Sequence, residues 1–508
     1  MKILFVSPVS VTIELENNEI YFSKEKYDVL VNSQVALKDV DTNVFSLFEL
    51  TPNTEYVVSV NDEKVSFKTD AVNRVLEDES LVKDGSVDMT NQIQTLINNA
   101  QENDMVVIYA GTYLITSLKL KSNMTLYLKK GAELIASTNE QDFKDIEGFV
   151  TLKDGRKLEC GSWEGDPWNQ KESILMGVEL NNVKVVGEGT LNGRANESTW
   201  WVDFRKKAYA RPHMIYFIRC NDVKVQGINV KNSPQWTIHP YFCENIGFYD
   251  LYIENPKISP NTDGLNPQCC TKVEIIGVLF SVGDDCIALK SGKMAIGKKY
   301  KTPSSKITIR NCWMRFGHGA VVLGSEMSGG IKDITVERCI FDHTDRGLRI
   351  KTRRGRGDTA VIDGITFSNI LMKGVLNPLT VNMFYFCDPD GKTEYVWSKE
   401  KLPVDDRTPY LGKFTFKNIK AEECEYCAGY FYGLPEQPVG EINIEDCEFS
   451  FKEDAASGTP IMMTNAEVCC KKAFTFNNVK KVNMKNVVVK GNVGPLYDVS
   501  GNEELYYE

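Results

Sequence analysis

Four short stretches between residues 261 and 351 carry the side chains best suited to acid–base chemistry. They are Asn261-Thr262-Asp263-Gly264, Gly283-Asp284-Asp285, Gly317-His318-Gly319 and Arg349-Ile350-Lys351. Each follows or ends a run of alternating apolar and polar residues, and each lies one repeat further along the chain. If the repeats stack, three carboxylates, one imidazole and two fixed cations meet on one face. Clustered carboxylates push one another's pKa values apart, so one stays protonated as an acid while others ionise as bases. Such a set can hydrolyse an anionic substrate. Asp284 and Asp285 are adjacent and would face opposite sides of a regular strand. A strand end or bulge is therefore required, and Gly283 makes that distortion cheap. His318 is one of only four histidines, and its flanking glycines would let it approach a carboxylate closely. Arg349 and Lys351 are two apart, so on a strand they share a face.

The rest of the chain must hold these residues. Its 508 residues suffice for a large core and more than one domain. A net charge of −10 argues against a general nucleic-acid binder. An anionic ligand would instead need a local cation cluster, and Arg346, Arg349, Lys351, Arg353, Arg354 and Arg356 supply one. A solvated basic turn is the competing reading of that run. The first residues, Met1–Pro8, have too short an apolar stretch for a secretion signal, and no segment is long and apolar enough to span a membrane as a helix. These features lead us to expect a cytoplasmic protein with no membrane or nucleic-acid partner; they are silent on oligomeric state. The 14 cysteines are read as reduced and buried, and Cys424-x-x-Cys427 has no second pair at zinc spacing.

Residues 1–70 read as a small β-sandwich, with strands expected at 10–16, 27–33, 55–60 and 64–68. The stretch Leu50-Thr51-Pro52-Asn53-Thr54-Glu55-Tyr56 resembles a fibronectin type III corner, in which Tyr56 would bond back to the preceding turn. Residues 71–84 are expected as a charged linker. From 85 to 508 the strands are short and β-branched. A helix over 88–100 places Ile93, Leu96, Ile97 and Ala100 on one face to cover the end of a stack. A template then recurs, as in Lys306–Cys312, Asp333–Cys339 and Glu441–Cys447, at a period of roughly 23 to 30 residues. These repeats predict an all-β chain built on a parallel β-helix, with Cys312, Cys339 and Cys447 stacked inside as packing residues. Insertions rich in aromatic and charged residues interrupt it at 137–172, 193–213, 293–303 and 384–412. Long loops on a rigid scaffold carry binding function, and their tryptophans (Trp163, Trp168, Trp200, Trp201 and Trp397) either stack on sugar rings or pin their loops.

The ordered set Asn-Thr-Asp, Asp-Asp, Gly-His-Gly and Arg-Ile-Lys resembles the signature of glycoside hydrolase family 28, the polygalacturonases, over about residues 84–508. The resemblance implies a right-handed parallel β-helix that hydrolyses α-1,4 bonds between galacturonates with inversion, without metal or other cofactor. It implies Asp284 as general acid, Asp263 and Asp285 as residues that hold and activate water, and His318 as support for the acid. Arg349 and Lys351 would grip the substrate carboxylate, with Asn261 and Lys290 also at the substrate. The segments Ile287–Gly292 and Gly324–Gly330, with the fibronectin-like front domain, resemble the bacterial exo-acting branch, with cleavage from the non-reducing end of homogalacturonan or oligogalacturonides. Endo action and another pectic backbone are the alternatives; a pectate lyase or a non-catalytic carbohydrate-binding β-helix is more remote.

Overall fold

The computed structural model describes residues 1–151, 155–204, 210–501 and 504–507. The alternating runs of residues 104–507 become short strands that pair in parallel, coil upon coil, as a right-handed parallel β-helix. One coil contains Ile215–Ile218, Asn221–Gln226 and Asn229–Lys231. The next contains Ile238–Tyr241, Glu244–Tyr249 and Tyr252–Glu254, each strand in register with its predecessor. Asparagines and aspartates with positive φ, such as Asn182, Asp222, Asn245 and Asp333, stand one or two residues inside the starts of their strands, in a conformation these two residue types tolerate.

One inward column fixes the register. Leu118, Leu175, Ile215, Ile238, Leu265, Ile287, Val321, Leu348 and Leu379 face one another on successive coils and are wholly buried. Each such side chain contributes about 1.5–3 kcal/mol on burial. A slip of one residue would turn the whole set outward, which locks the polar residues beside it onto the outer surface. Cys312 and Cys339 are neighbours in a second column, but Ile370 pairs with Cys339 and Ile419 with Ile370, so isoleucines separate Cys339 from Cys447. Isoleucine fills the same inward space, so the expected cysteine ladder is only partial. A separate one, Cys220–Cys243–Cys270, links successive coils through backbone N–H to Sγ contacts.

The helix Thr90–Asn99 covers the first coil with Ile93 and Ile97, and Asp88 Oδ1 accepts from the Thr90 amide just ahead of it. The β-helix begins earlier than the sequence suggests. Val75–Leu76, inside the stretch expected as a linker, pairs with Met105–Val106, because these two residues continue the ladder through backbone bonds that charged neighbours do not disturb.

The front segment forms a three-stranded sheet, Lys2–Val6, Val11–Glu14 and Val44–Leu47, and a four-stranded one, Phe22–Val31, Gln34–Thr42, Glu55–Val60 and Glu63–Lys68. They enclose Val11, Ile13, Tyr27, Val29, Phe45, Leu47, Val58 and Val60. Lys2–Val6, Gln34–Thr42 and Val44–Leu47 escaped the sequence reading because their alternation is broken by charges or by full burial. The segment docks on the β-helix through Phe5, Val9 and Val44, which pack on Val107, Tyr127 and Tyr249. Beside them the buried Glu14 accepts from Arg310, Asn311 and Arg338.

Candidate active site

The column of Leu265, Ile287, Val321 and Leu348 sets the positions of the chemistry. Two residues before each of these stand Asp263, Asp285, Gly319 and Arg346; three before stand Thr262, Asp284, His318 and Asp345. Backbone bonds tie the successive turns, from Gly264 N to Asp285 O, Cys286 N to Gly319 O, Ala320 N to Arg346 O and His318 N to Asp284 O. Asp284 and Asp285 lie between Leu279–Val282 and Ile287–Leu289, the strand end that adjacent carboxylates require. Gly283 serves there by close packing: a Cβ would meet Pro256 O and Ser259 Oγ at 2.6 Å. Gly317 has φ +73°, and a Cβ would come 2.4 Å from Asp284 O. At Gly319 a Cβ would come 2.4 Å from Val322 Cγ2, so the glycine gives the turn room beside that side chain.

All eight sequence-predicted residues line one cleft of about 410 Å³. Asp285 is buried, with Oδ1 3.2 Å from an Arg349 nitrogen and Oδ2 2.9 Å from Lys351 Nζ. Burial alone would raise its pKa, but Lys351 and Arg349 hold it well below the usual carboxylate range. Asp263 accepts from Asn266 at 3.0 Å and has Lys290 at 3.7 Å. Burial, then the charge of Asp284, pushes it up to about 8. Asp284 is more open to the cleft than the other two, and burial with the neighbouring Asp285 raises it. The cleft therefore pairs a fixed carboxylate with carboxyls inclined to keep a proton.

His318 Nδ1 lies 2.8 Å from Asp345 Oδ2, and this contact, reinforced by Asp284, raises the imidazole pKa against the opposing effect of burial. Two other histidines, His213 and His239, are wholly buried, and burial pushes both down, His213 to about 4. Lys290 bridges Asp263 and Glu326 and stands 4.5 Å from the Trp236 ring. Asn261 Oδ1 accepts from Arg211 at 2.8 Å.

The basic run is only partly a binding surface. Arg346, Arg349 and Lys351 line the cleft. Arg353 and Arg356 bind Asp388, Arg353 also binds Asp390, and Arg354, buried against Glu436, donates to the carbonyls of Tyr395, Ser398 and Glu400. Those three hold the 384–412 insertion in place. Of the insertion tryptophans, Trp200 and Trp201 are core residues, Trp168 and Trp397 are exposed, and Trp163 reaches the cleft, stacked on Trp236 at 5.8 Å. Parts of two insertions, residues 152–154 and 205–209, lie outside the described residues. Asp345, Glu326, Trp236, Glu164, Tyr385 and Asp388 also line the cleft and were missed. Asp345 alone had a usable signal, since it falls three residues before Leu348 just as His318 falls three before Val321.

Comparison with known proteins shows what the chain is similar to. The model of the family Glycosyl hydrolases family 28 matches residues 141–401. A probable polygalacturonase of Vitis vinifera is 35% identical over 252 residues, covering 49% of each chain. An exo-poly-alpha-D-galacturonosidase of Dickeya chrysanthemi is 26% identical over 421 residues, 74% of this chain and 67% of that one. This chain spans about half the length of the first plant relatives it matches. Among solved structures, the Yersinia enterocolitica family 28 exopolygalacturonase superposes with a TM-score of 0.72 at 18% identity, over 100% of this chain and 97% of that one. With more than half its length matched by the family model and the motif residues gathered in one cleft, the chain belongs to glycoside hydrolase family 28.

Proposed function

We propose that this chain hydrolyses α-1,4 galacturonosyl bonds of homogalacturonan or oligogalacturonides with inversion, from the non-reducing end. The observation that carries the reading is the unequal treatment of three neighbouring carboxyls. Asp285 is pinned as an anion by Arg349 and Lys351, while Asp284 and Asp263 are pushed towards their protonated forms. Inverting hydrolysis needs one carboxylic acid and one carboxylate with water between them. Asp284, the most open of the three, protonates the leaving oxygen. Asp285 takes the proton of the attacking water, and Asp263 holds that water. Arg349 and Lys351, with donors left over after binding Asp285, receive a substrate carboxylate, and Lys290 and Asn261 complete its seat. NMR of the first product from a galacturonate oligomer tests this: an inverted anomer is expected, and retention would contradict it.

The exo direction draws support from the insertions. Leu158 and Cys160 join Met176, Tyr216, Ile218 and Tyr241 in a buried cluster over the sheet, so chain covers the surface along which a longer groove would run. Tyr385, Cys387 and Asp388 wall the cleft from the 384–412 insertion. The name of the Dickeya relative points the same way. The front domain is read as fibronectin type III-like, on its three- and four-stranded sheets and on the Tyr56 hydroxyl that accepts from the Thr51 amide at 2.9 Å. A cytoplasmic location is proposed from its fourteen free thiols, which suit a reducing compartment; cell fractionation tests it. No helix among the described residues is long and apolar enough to cross a membrane.

A further inference from the structure

A turn from the first large insertion lines the cleft. The hairpin Ser162–Trp163/Asp166–Pro167 presents Trp163, Glu164 and Gly165. Trp163 lies flat against Trp236, with an interplanar angle of 19°. The Gly165 carbonyl accepts from the Lys293 amide at 2.9 Å. Gly165 also has φ +81°, and a Cβ there would come 2.8 Å from Glu326 Cβ. The turn is thus seated against the body of the β-helix, and it carries Glu164 into the cleft lining in a left-handed conformation, φ +45°.

The acids near this turn differ in their partners. Glu326 has Lys290 at 3.4 Å, Asp388 has Arg353 at 2.9 Å and Arg356 at 2.6 Å, and Asp166 has Lys293 at 3.4 Å. Glu164 makes no hydrogen bond or ion pair among the described residues. Burial of its carboxyl, then the charge of Glu326, raises its pKa against the opposing charges of Lys293 and Lys290. The cations free for a substrate carboxylate, Arg349 and Lys351, belong to a different strand, where they flank Asp285. An unpaired carboxyl beside a flat aromatic pair is built to receive hydroxyl groups of a stacked sugar and to repel another carboxylate.

We propose that Glu164 reads the chain end: it binds the free C4 hydroxyl of the terminal galacturonate, so that a sugar extended or altered at C4 is refused. This rests on the exo reading above. In an α-1,4 polymer every internal galacturonate has its C4 oxygen in a glycosidic bond, so a group that demands a free C4 hydroxyl accepts the non-reducing terminus alone. The same demand excludes oligomers whose terminal sugar is 4,5-unsaturated, which lack that hydroxyl. Eliminative cleavage yields such ends, so this enzyme acts on hydrolytic fragments and needs another activity to clear the unsaturated sugar first.

The test compares saturated trigalacturonate with its 4,5-unsaturated counterpart, by monomer release, in the wild type, Glu164→Ala and Glu164→Gln. A site built to bond a hydroxyl discriminates strongly against the analogue lacking it. The wild type should prefer the saturated trimer. Glu164→Ala should lower kcat/KM for that trimer by about 10- to 100-fold and leave the unsaturated one little changed, which collapses the preference. Glu164→Gln, which keeps a hydrogen-bonding group, should retain most of it. An unchanged ratio in a folded Glu164→Ala enzyme that still releases monomer would overturn the proposal while leaving exo action intact. Mixed oligomers released from polymer by the wild type would overturn the exo reading and the proposal with it.

Discussion

His318 and Asp345 occupy the same register position on adjacent coils, and His318 Nδ1 meets Asp345 Oδ2 at 2.8 Å. Asp284 stands at that position on the coil before, and its carbonyl accepts from the His318 amide. The imidazole is thus held between the proposed acid and a second carboxylate. Asp345 favours the charged imidazole, so the attraction is complete below the ordinary histidine pKa and is lost as pH rises through the raised value. Asp345→Asn should therefore lower the His318 pKa and, with it, turnover at neutral pH. An NMR titration of the imidazole that finds no shift would show that the contact does not form in solution.

Asp284→Asn removes the proposed proton donor. Turnover should fall by about 10²–10⁴-fold, whereas thermal stability should hold or rise, because the substitution relieves repulsion with the adjacent Asp285. A folded variant with near-normal turnover would remove Asp284 from the acid role.

Lys351→Ala separates two effects of one cation. Lys351 lowers the pKa of Asp285, so its loss should raise that pKa and move the acid limb of the kcat/KM profile to higher pH. It should also weaken galacturonate binding, and less so for a substrate methyl-esterified at the contacted ring, since an ammonium recognises the carboxylate charge. Equal losses for charged and esterified substrates, with a stationary acid limb, would make Lys351 structural.

A time course on polygalacturonate reports where the chain is cut. Monomer should be the main product from the first sample, with viscosity falling slowly. Early loss of viscosity with a ladder of oligomers would mean an open groove.

Glu14 joins the front domain to the β-helix. It is 2% exposed and accepts from Arg310, Asn311 and Arg338. Glu14→Ala strands the buried Arg310 without its main partner and should cost about 3–5 kcal/mol, read by denaturant unfolding. A loss under about 1 kcal/mol would mean that water repairs the site.

The β-helix and the gathering of the motif residues on one face were legible in the sequence because both are periodic. A coil that buries one aliphatic residue at a fixed place repeats it, and residues two or three before that place inherit a common position. Asp263, Asp285 and His318 could thus be gathered from motif spacing alone. The front sheets were half legible: Glu55–Val60 shows its alternation, whereas Val44–Leu47 is buried on both faces and shows none. What the sequence could not settle was pairing. Arg349 and Arg353 look alike in the run 346–356, yet one reaches Asp285 and the other anchors Asp388. Nor does local pattern bring Glu164 to a cleft made by residues such as Asp263, Asp285 and Lys351, far along the chain. Short-range periodicity determined the coils and the face on which the carboxylates stand. Which cation meets which carboxylate, and which insertions line the cleft, was decided by through-space charge and close packing, which act between residues that have no sequence relation.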